Sequence, residues 1–280
     1  MNRYVLTLSC LDRPSIVASV TTELAAIGAN ITESAQFGDP STGRFFMRIA
    51  FTAPVGRDAV ERALAAPVAR FEMRTAIADS TVRPRLIVMV SRFDHAMLHL
   101  LYQIRVGWLD AEVAAIVSNH ETSRRTAELE GIPFHHLPVT VQTKPAQEDR
   151  LLALIEETGA SLVVLARYMQ VLSDGLATRL FGRVINIHHS FLPGFAGARP
   201  YHQAHARGVK LIGATSHYVT AALDEGPIIE QETQRVTHAM TAEDLVAAGR
   251  DSESRVLARA VKLHLENRVM LNGRKTIVFS

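Results

Sequence analysis

The sequence predicts an α/β protein in two parts: a small ferredoxin-like βαββαβ unit over residues 1–82, then a doubly wound open sheet over residues 83–280. Three observations carry this. The chain has 280 residues, and at roughly 150 residues per domain that length suits two domains. The early strand-like runs alternate apolar and polar residues, whereas later ones such as Leu86-Ile87-Val88-Met89-Val90 are apolar throughout, as in a buried parallel sheet. All 12 histidines lie between His95 and His264. A residue type that titrates near neutrality is thus confined to the second part, which is where chemistry is expected.

Residues 3–9 alternate as a strand. Asp12 stands as a helix N-cap with Pro14 in the first turn. Ile16, Val20, Leu24 and Ile27 follow at helical spacing, and Gly28 closes the helix. Residues 30–37 and 44–52 read as strands joined by Asp39-Pro40-Ser41-Thr42-Gly43, a turn in which Pro fixes φ and Gly permits positive φ. Val60, Leu64 and Val68 mark a helix ending near Pro67, and residues 71–78 form the fourth strand. This is the βαββαβ order.

After a polar link at 79–84, strands are expected at 86–90, 113–117, 162–165 and 184–187, with helices at 95–105, 121–130 and 151–158 between them. Alternating β and α with apolar strands is the doubly wound pattern. Strands at 215–220 and 228–233, a long helix at 241–267 and a hairpin over 269–279 turning at Asn272-Gly273 complete the chain.

Composition narrows the function. The net charge of +2 comes from 30 cations against 28 acids without a run of either sign, so a nucleic-acid partner is not expected. No apolar run reaches the roughly 18 residues of a membrane span, and the N-terminus lacks a signal-peptide stretch, which predicts a cytoplasmic protein with no membrane partner. The single cysteine, Cys10, allows neither an intrachain disulfide nor a cysteine zinc cluster.

In an open parallel sheet, ligands bind beyond the carboxyl ends of the strands. Ser91-Arg92-Phe93-Asp94-His95 follows the first such strand and is not a glycine-rich phosphate loop. Arg92 could meet an anion or simply be solvated. Ser118 or Asn119 suits a helix cap. Met169, Val171 and Leu172, after the 162–165 strand, suit either core or a ligand wall. The most informative run is Ile185-Asn186-Ile187-His188-His189. Asn186 and His188 share one face of a strand, and an amide beside an imidazole suits a carbonyl that becomes an oxyanion. His189 is expected on the opposite face. Metal binding by His188 or His189, or a purely structural histidine, are the alternatives; no third ligand at metal spacing is evident, so no metal is expected. Leu223-Asp224-Glu225-Gly226-Pro227 reads on its own as a plain turn.

Taken together, Asn186-x-His188, Ser190-x-Leu192-Pro193-x-Phe195-x-Gly197 and Ser216-His217-Tyr218-Val219-x-x-x-Leu223-Asp224-x-Gly226-Pro227-Ile228 resemble the folate-dependent formyltransferases. The glycinamide ribonucleotide transformylases are members of that Rossmann-like fold. The resemblance covers about residues 83–280. It implies Asn186, His188 and Asp224 as the catalytic set and Met169-Gln170-Val171-Leu172 as the folate-pocket segment, with Ser91, Arg92, Phe93 and His217 as further substrate-binding residues.

Asp12-Arg13-Pro14-x-Ile16-Val17 and Gly28-Ala29-Asn30-Ile31 look like an ACT domain, a small-ligand regulatory module. The resemblance marks Asp12, Gly28 and Asn30 as regulatory positions. An ACT domain before a formyltransferase-like domain resembles the formyltetrahydrofolate deformylase family, as do Phe93-Asp94-His95, Ser118-Asn119-His120, Gly131-Ile132-Pro133-Phe134-His135 and Thr42-Gly43-Arg44-Phe45-Phe46-Met47-Arg48. It implies hydrolysis of 10-formyltetrahydrofolate, itself the substrate, without a cofactor. It further implies formate supply for purine synthesis, balance of the one-carbon folate pools, an amino-acid effector and a homodimer or homotetramer. Ser91-Arg92-Phe93-Asp94 stands where the transformylases carry a glycine-rich loop for a ribonucleotide phosphate, which fits water rather than an amine as acceptor. The alternatives are a formyltransferase acting on an amine and a non-catalytic folate or amino-acid sensor.

Overall fold

Residues 1–192 and 200–280 are described by a computed structural model; Pro193, Phe195 and Gly197 of the quoted motif lie outside the described residues. The chain divides into two compact units. One comprises Met1–Arg83, Glu266–Asn272 and Ile277–Ser280, the other Pro84–Leu265 and Gly273–Thr276.

In the first unit, β1 (Asn2–Leu11), α1 (Ile16–Ala26), β2 (Asn30–Asp39), β3 (Arg44–Ala53), α2 (Arg57–Phe71) and β4 (Arg74–Asp79) follow the expected order. The sheet is antiparallel with order β2-β3-β1-β4. Period-two alternation puts Tyr4, Leu6 and Leu8 opposite Phe51, Ile49 and Met47, and these pairs form a core with Ile16, Val20 and Leu24 of α1 and Val60, Leu64 and Phe71 of α2. Gly28, at φ 74, closes α1 as expected, with Gly28 N donating to Ala25 O and Ala29 N to Leu24 O.

Three expectations change here. The α1 helix begins after Ser15, which is itself left-handed at φ 74, so Asp12 is not its cap and Pro14 precedes its first turn. The Asp12 carboxylate lies instead against Gly38, where a Cβ would come 2.6 Å from Oδ2. Helix α2 runs through Pro67 to Phe71, so the fourth strand starts three residues late. Pro67 removes one backbone donor, yet Leu64, Pro67 and Phe71 share a buried face that holds the last turn. That turn ends at Glu72, at φ 50, with Met73 N donating to Val68 O. Finally, a boundary at 82/83 would assign the whole C-terminus to the second unit, but two C-terminal stretches belong to the first. Polar contacts explain it: Arg48 Nε donates to Glu266 O at 3.1 Å, Arg268 pairs with Glu33 at 2.9 Å, and Asn272 Nδ2 donates to Asp39 Oδ2 at 2.7 Å.

The second unit runs β5 (Arg85–Val90), α3 (His95–Arg105), β6 (Glu112–Ser118), α4 (Arg124–Leu129), β7 (Phe134–His136), α5 (Lys144–Thr158), β8 (Leu162–Leu165), α6 (Asp174–Arg179), β9 (Val184–His188), α7 (Pro200–Ala206), β10 (Leu211–Tyr218), β11 (Ile228–Arg235) and α8 (Ala242–Leu265). A two-stranded hairpin, β12 (Val269–Asn272) and β13 (Lys275–Val278), ends the chain. Its turn sits at Gly273-Arg274, one residue beyond expectation, with Gly273 at φ 63. The seven-stranded sheet has order β11-β10-β9-β8-β5-β6-β7. Strands β5 to β9 are parallel, and β10 and β11 add an antiparallel edge. Elements β7, α6 and α7 were not expected. Helix α5 begins at Lys144 rather than 151: its first turns are polar and carry no apolar periodicity, although Gln147 and Glu148 are buried. Among the described residues no helix is long and apolar enough to cross a membrane.

Candidate active site

Strand β5 pairs with β6 on one side and β8 on the other, so the direction of winding reverses between β5 and β8. A doubly wound sheet opens a crevice at such a reversal. Here a cavity lies beyond the carboxyl ends of β8 and β9, walled by Arg167 to Leu172, by Asn186 to His189, by His217 and by the loop carrying Asp224.

Its polar groups arrive from three elements. Asn186 and His188 are alternate residues of β9, and Ile187 between them is buried. His217 of β10 lies directly across from Asn186 in the antiparallel pair, with its Nε2 3.3 Å from Asn186 Nδ2. His217 Nδ1 donates to the Tyr218 carbonyl at 2.9 Å, which leaves Nε2 facing the cavity. In the neutral ring Nε2 accepts from Asn186; in the protonated ring it donates toward Asp224 Oδ1, 3.6 Å away.

Asp224 comes from the connection between β10 and β11, where it takes a left-handed φ of 55. The chain folds back tightly there: Tyr218 N donates to Pro227 O at 2.9 Å, and a Cβ on Gly226 would come 1.7 Å from the Tyr218 carbonyl. Gly226 therefore permits the close approach that brings Asp224 onto β9. Asp224 Oδ2 then lies 3.2 Å from His188 Nδ1. The His188 hydrogen bond, followed by that of His217, holds the Asp224 carboxyl far below the usual carboxylate range against the opposing effect of burial. His188 Nε2 is buried with no hydrogen-bond partner among the described residues. It is the atom left to meet a ligand.

Among the other predicted positions, Met169, Gln170, Val171, Leu172 and His217 line the cavity. Ser91, Arg92 and Phe93 do not. Ser91 Oγ donates to Asn119 Oδ1 at 2.7 Å and accepts from Met169 N at 3.1 Å, so it anchors the start of the cavity wall. Phe93 is 48% exposed beneath the Arg250 guanidinium. His189 does not turn away. Strand β9 ends at His188, so alternation stops there, and the His189 ring lies 4.9 Å from that of His188 and lines the same cavity. Burial first, then the nearby Arg167, lowers its pKa to about 4, so it is neutral at neutral pH. Asp12, Gly28 and Asn30 belong to the first unit.

Arg167 had no role assigned from sequence. It is left-handed at φ 65, lines the cavity, and sets its Nε 3.3 Å from Glu253 Oε2 on α8. The long helix also carries Glu243, Asp244 and Asp251, and helical periodicity alone does not separate the buried Glu253 from these exposed acids.

Comparison with known proteins places this site among relatives. Residues 84–261 match the family model described as formyl transferase. The chain is 49% identical to formyltetrahydrofolate deformylase of Corynebacterium sp. (strain P-1) over 279 residues, covering 99% of this chain and 98% of that one. It is 39% identical to formyltetrahydrofolate deformylase of Escherichia coli (strain K12), covering 99% of both. The crystal structure of formyltetrahydrofolate deformylase from Burkholderia mallei ATCC 23344 superposes with a TM-score of 0.96 at 49% identity, covering 100% of both chains. Glycinamide ribonucleotide transformylase 1 from Symbiobacterium toebii superposes with a TM-score of 0.65 at 31% identity, over 71% of this chain and 95% of that one.

Proposed function

The chain belongs to the formyltetrahydrofolate deformylase family and hydrolyses 10-formyltetrahydrofolate to formate and tetrahydrofolate, and from that premise we propose that Asn186, His188 and Asp224 carry the reaction. The observation that supports this assignment is the meeting of His188 Nδ1 with Asp224 at 3.2 Å beside Asn186, in one cavity with the Met169 to Leu172 wall.

In this reading the formyl group sits beside His188 Nε2 and the Asn186 amide. Asp224 orients the attacking water and takes its proton as the oxygen bonds to the formyl carbon. Asn186 donates to the oxygen that becomes negative. Protonated His188, paired to Asp224 through Nδ1, adds a charge-assisted donor through Nε2. That proton passes to the folate nitrogen as its bond to carbon breaks, and the acid product leaves as formate with release of a proton. Water is the acceptor because the Ser91 to Asp94 loop offers no glycine-rich phosphate cradle. The test is formate release without any amine, and a requirement for an amine would point to a transferase.

We further propose that the first unit is an ACT-type module that binds a small amino acid and drives formation of a homo-oligomer, and that the formate serves purine synthesis. The left-handed Gly28 lets the backbone turn at the start of β2 approach a small ligand. Deleting residues 1–82 is not a clean test, because C-terminal stretches belong to the same unit. Gly28→Val is the sharper one: titration with amino acids is expected to show a weakened effector response while effector-free hydrolysis persists. An undiminished response in the variant, alongside intact folding by circular dichroism, contradicts the assignment.

A further inference from the structure

Glu253 is 1% exposed on its side chain, and three groups from three other segments converge on it. His95, the first residue of α3, places Nε2 2.9 Å from Oε2. Tyr201 of α7 donates its hydroxyl to Oε1 at 2.7 Å. Arg167 approaches Oε2 with Nε at 3.3 Å. Room for Tyr201 is made on α8 by Gly249, where a Cβ would come 2.1 Å from the ring. A buried carboxylate with this many partners holds them in turn, and His95 and Tyr201 still contact it when the arginine is removed.

Arg167 is the member that reaches the reaction. It is the only arginine or lysine among the described residues lining the cavity, which it shares with His188, Asn186 and Asp224. Its backbone sits at φ 65, a conformation that side-chain-bearing residues adopt at a cost. A glycine would be the ordinary occupant, so the side chain is retained against local strain. The product also calls for a cation here. Hydrolysis turns a neutral formyl group into an anion beside Asp224, and like charges repel. Its Nε faces Glu253 at 3.3 Å yet is buried without a hydrogen-bond partner among the described residues, so the guanidinium keeps donor capacity for a carboxylate.

We propose that Arg167, positioned by Glu253, receives the formate produced in the cavity and forms its binding site. The proposal rests on the hydrolytic reading above, and its test separates the two.

The experiment measures binding of ¹³C-formate to the purified full-length protein by NMR titration, and formate inhibition of turnover, in the wild type, Arg167→Gly, Arg167→Lys and Glu253→Gln. Arg167→Gly relieves the φ strain, so it removes the fork with the least harm to folding. It is expected to weaken formate binding by about tenfold or more, the scale of a charge-assisted bond, and millimolar guanidinium ion should restore part of the affinity. Arg167→Lys keeps the charge but not the fork, and should weaken binding less than the glycine variant does. Glu253→Gln should weaken it less than the glycine variant, with guanidinium giving no rescue because the fork is present. Unchanged formate affinity in a folded Arg167→Gly protein, or no formate binding to the wild type, overturns the proposal. If the glycine variant does not fold, Arg167→Met decides on the same criterion. Failure to release formate from 10-formyltetrahydrofolate would overturn the hydrolytic reading instead, which the titration does not depend on.

Discussion

Asp224→Asn is expected to abolish most turnover, lowering kcat by about 10²–10⁴-fold, the range that general acid–base assistance supplies. Two properties meet in this side chain. It accepts from His188 Nδ1 across 3.2 Å, and hydrogen bonds from His188 and then His217 keep it ionised far into acid. Asparagine keeps the size but loses the charge and can no longer take a proton from water. Because the carboxylate is ionised throughout the working range, the variant should lower the plateau of the pH–rate profile without moving an acid limb. KM should change little, since the carboxylate acts on the transition state more than on bound substrate. Steady-state kinetics over a pH series check this, and near-normal kcat would remove Asp224 from the mechanism.

The second large effect is expected on β9. Asn186→Ala removes an oxyanion donor, with an expected loss of roughly 10²–10³-fold in kcat. His188→Ala should fall in a similar range. The neighbour His189 is a telling comparison because it shares the cavity wall, while Glu253 and Asp224 act on it less than burial and Arg167 do. Burial and Arg167 hold it neutral, with its pKa lowered to about 4, so it offers no protonated donor at neutral pH. His189→Asn should therefore be milder than His188→Asn. A dead His189 variant beside an active His188 variant would assign the proton chemistry to the wrong histidine.

How much of this was legible in the sequence depends on whether local pattern carried the information. Asn186 and His188 were legible as neighbours on one face because strand alternation is local and strict, and the rule lapsed at His189 because the strand ends one residue earlier. Asp224 was not legible from spacing: its turn-forming neighbours read alike whether the loop carries chemistry or only reverses the chain, and only the resemblance singled it out. The close approach that brings it to His188 depends on Gly226 meeting the Tyr218 carbonyl, a tertiary fact. The βαββαβ order followed from periodicity, but Pro67 suggested a helix end that burial of Phe71 overrides. Arg167 and Glu253 are distant in sequence and meet only when β8 and α8 are assembled, so no window of the chain contains their pairing. The C-terminal stretches join the first unit through Arg48, Arg268 and Asn272, contacts that no composition boundary marks.

The most direct measurement of the central claim is turnover of 10-formyltetrahydrofolate by the purified protein in ¹⁸O-labelled water, with no amine present. Formate and tetrahydrofolate should appear in equal amounts, with one labelled oxygen in each formate because water supplies the new bond to carbon. Turnover that begins only when an amine is added, with the formyl group recovered on that amine and no label in any formate, would contradict the account.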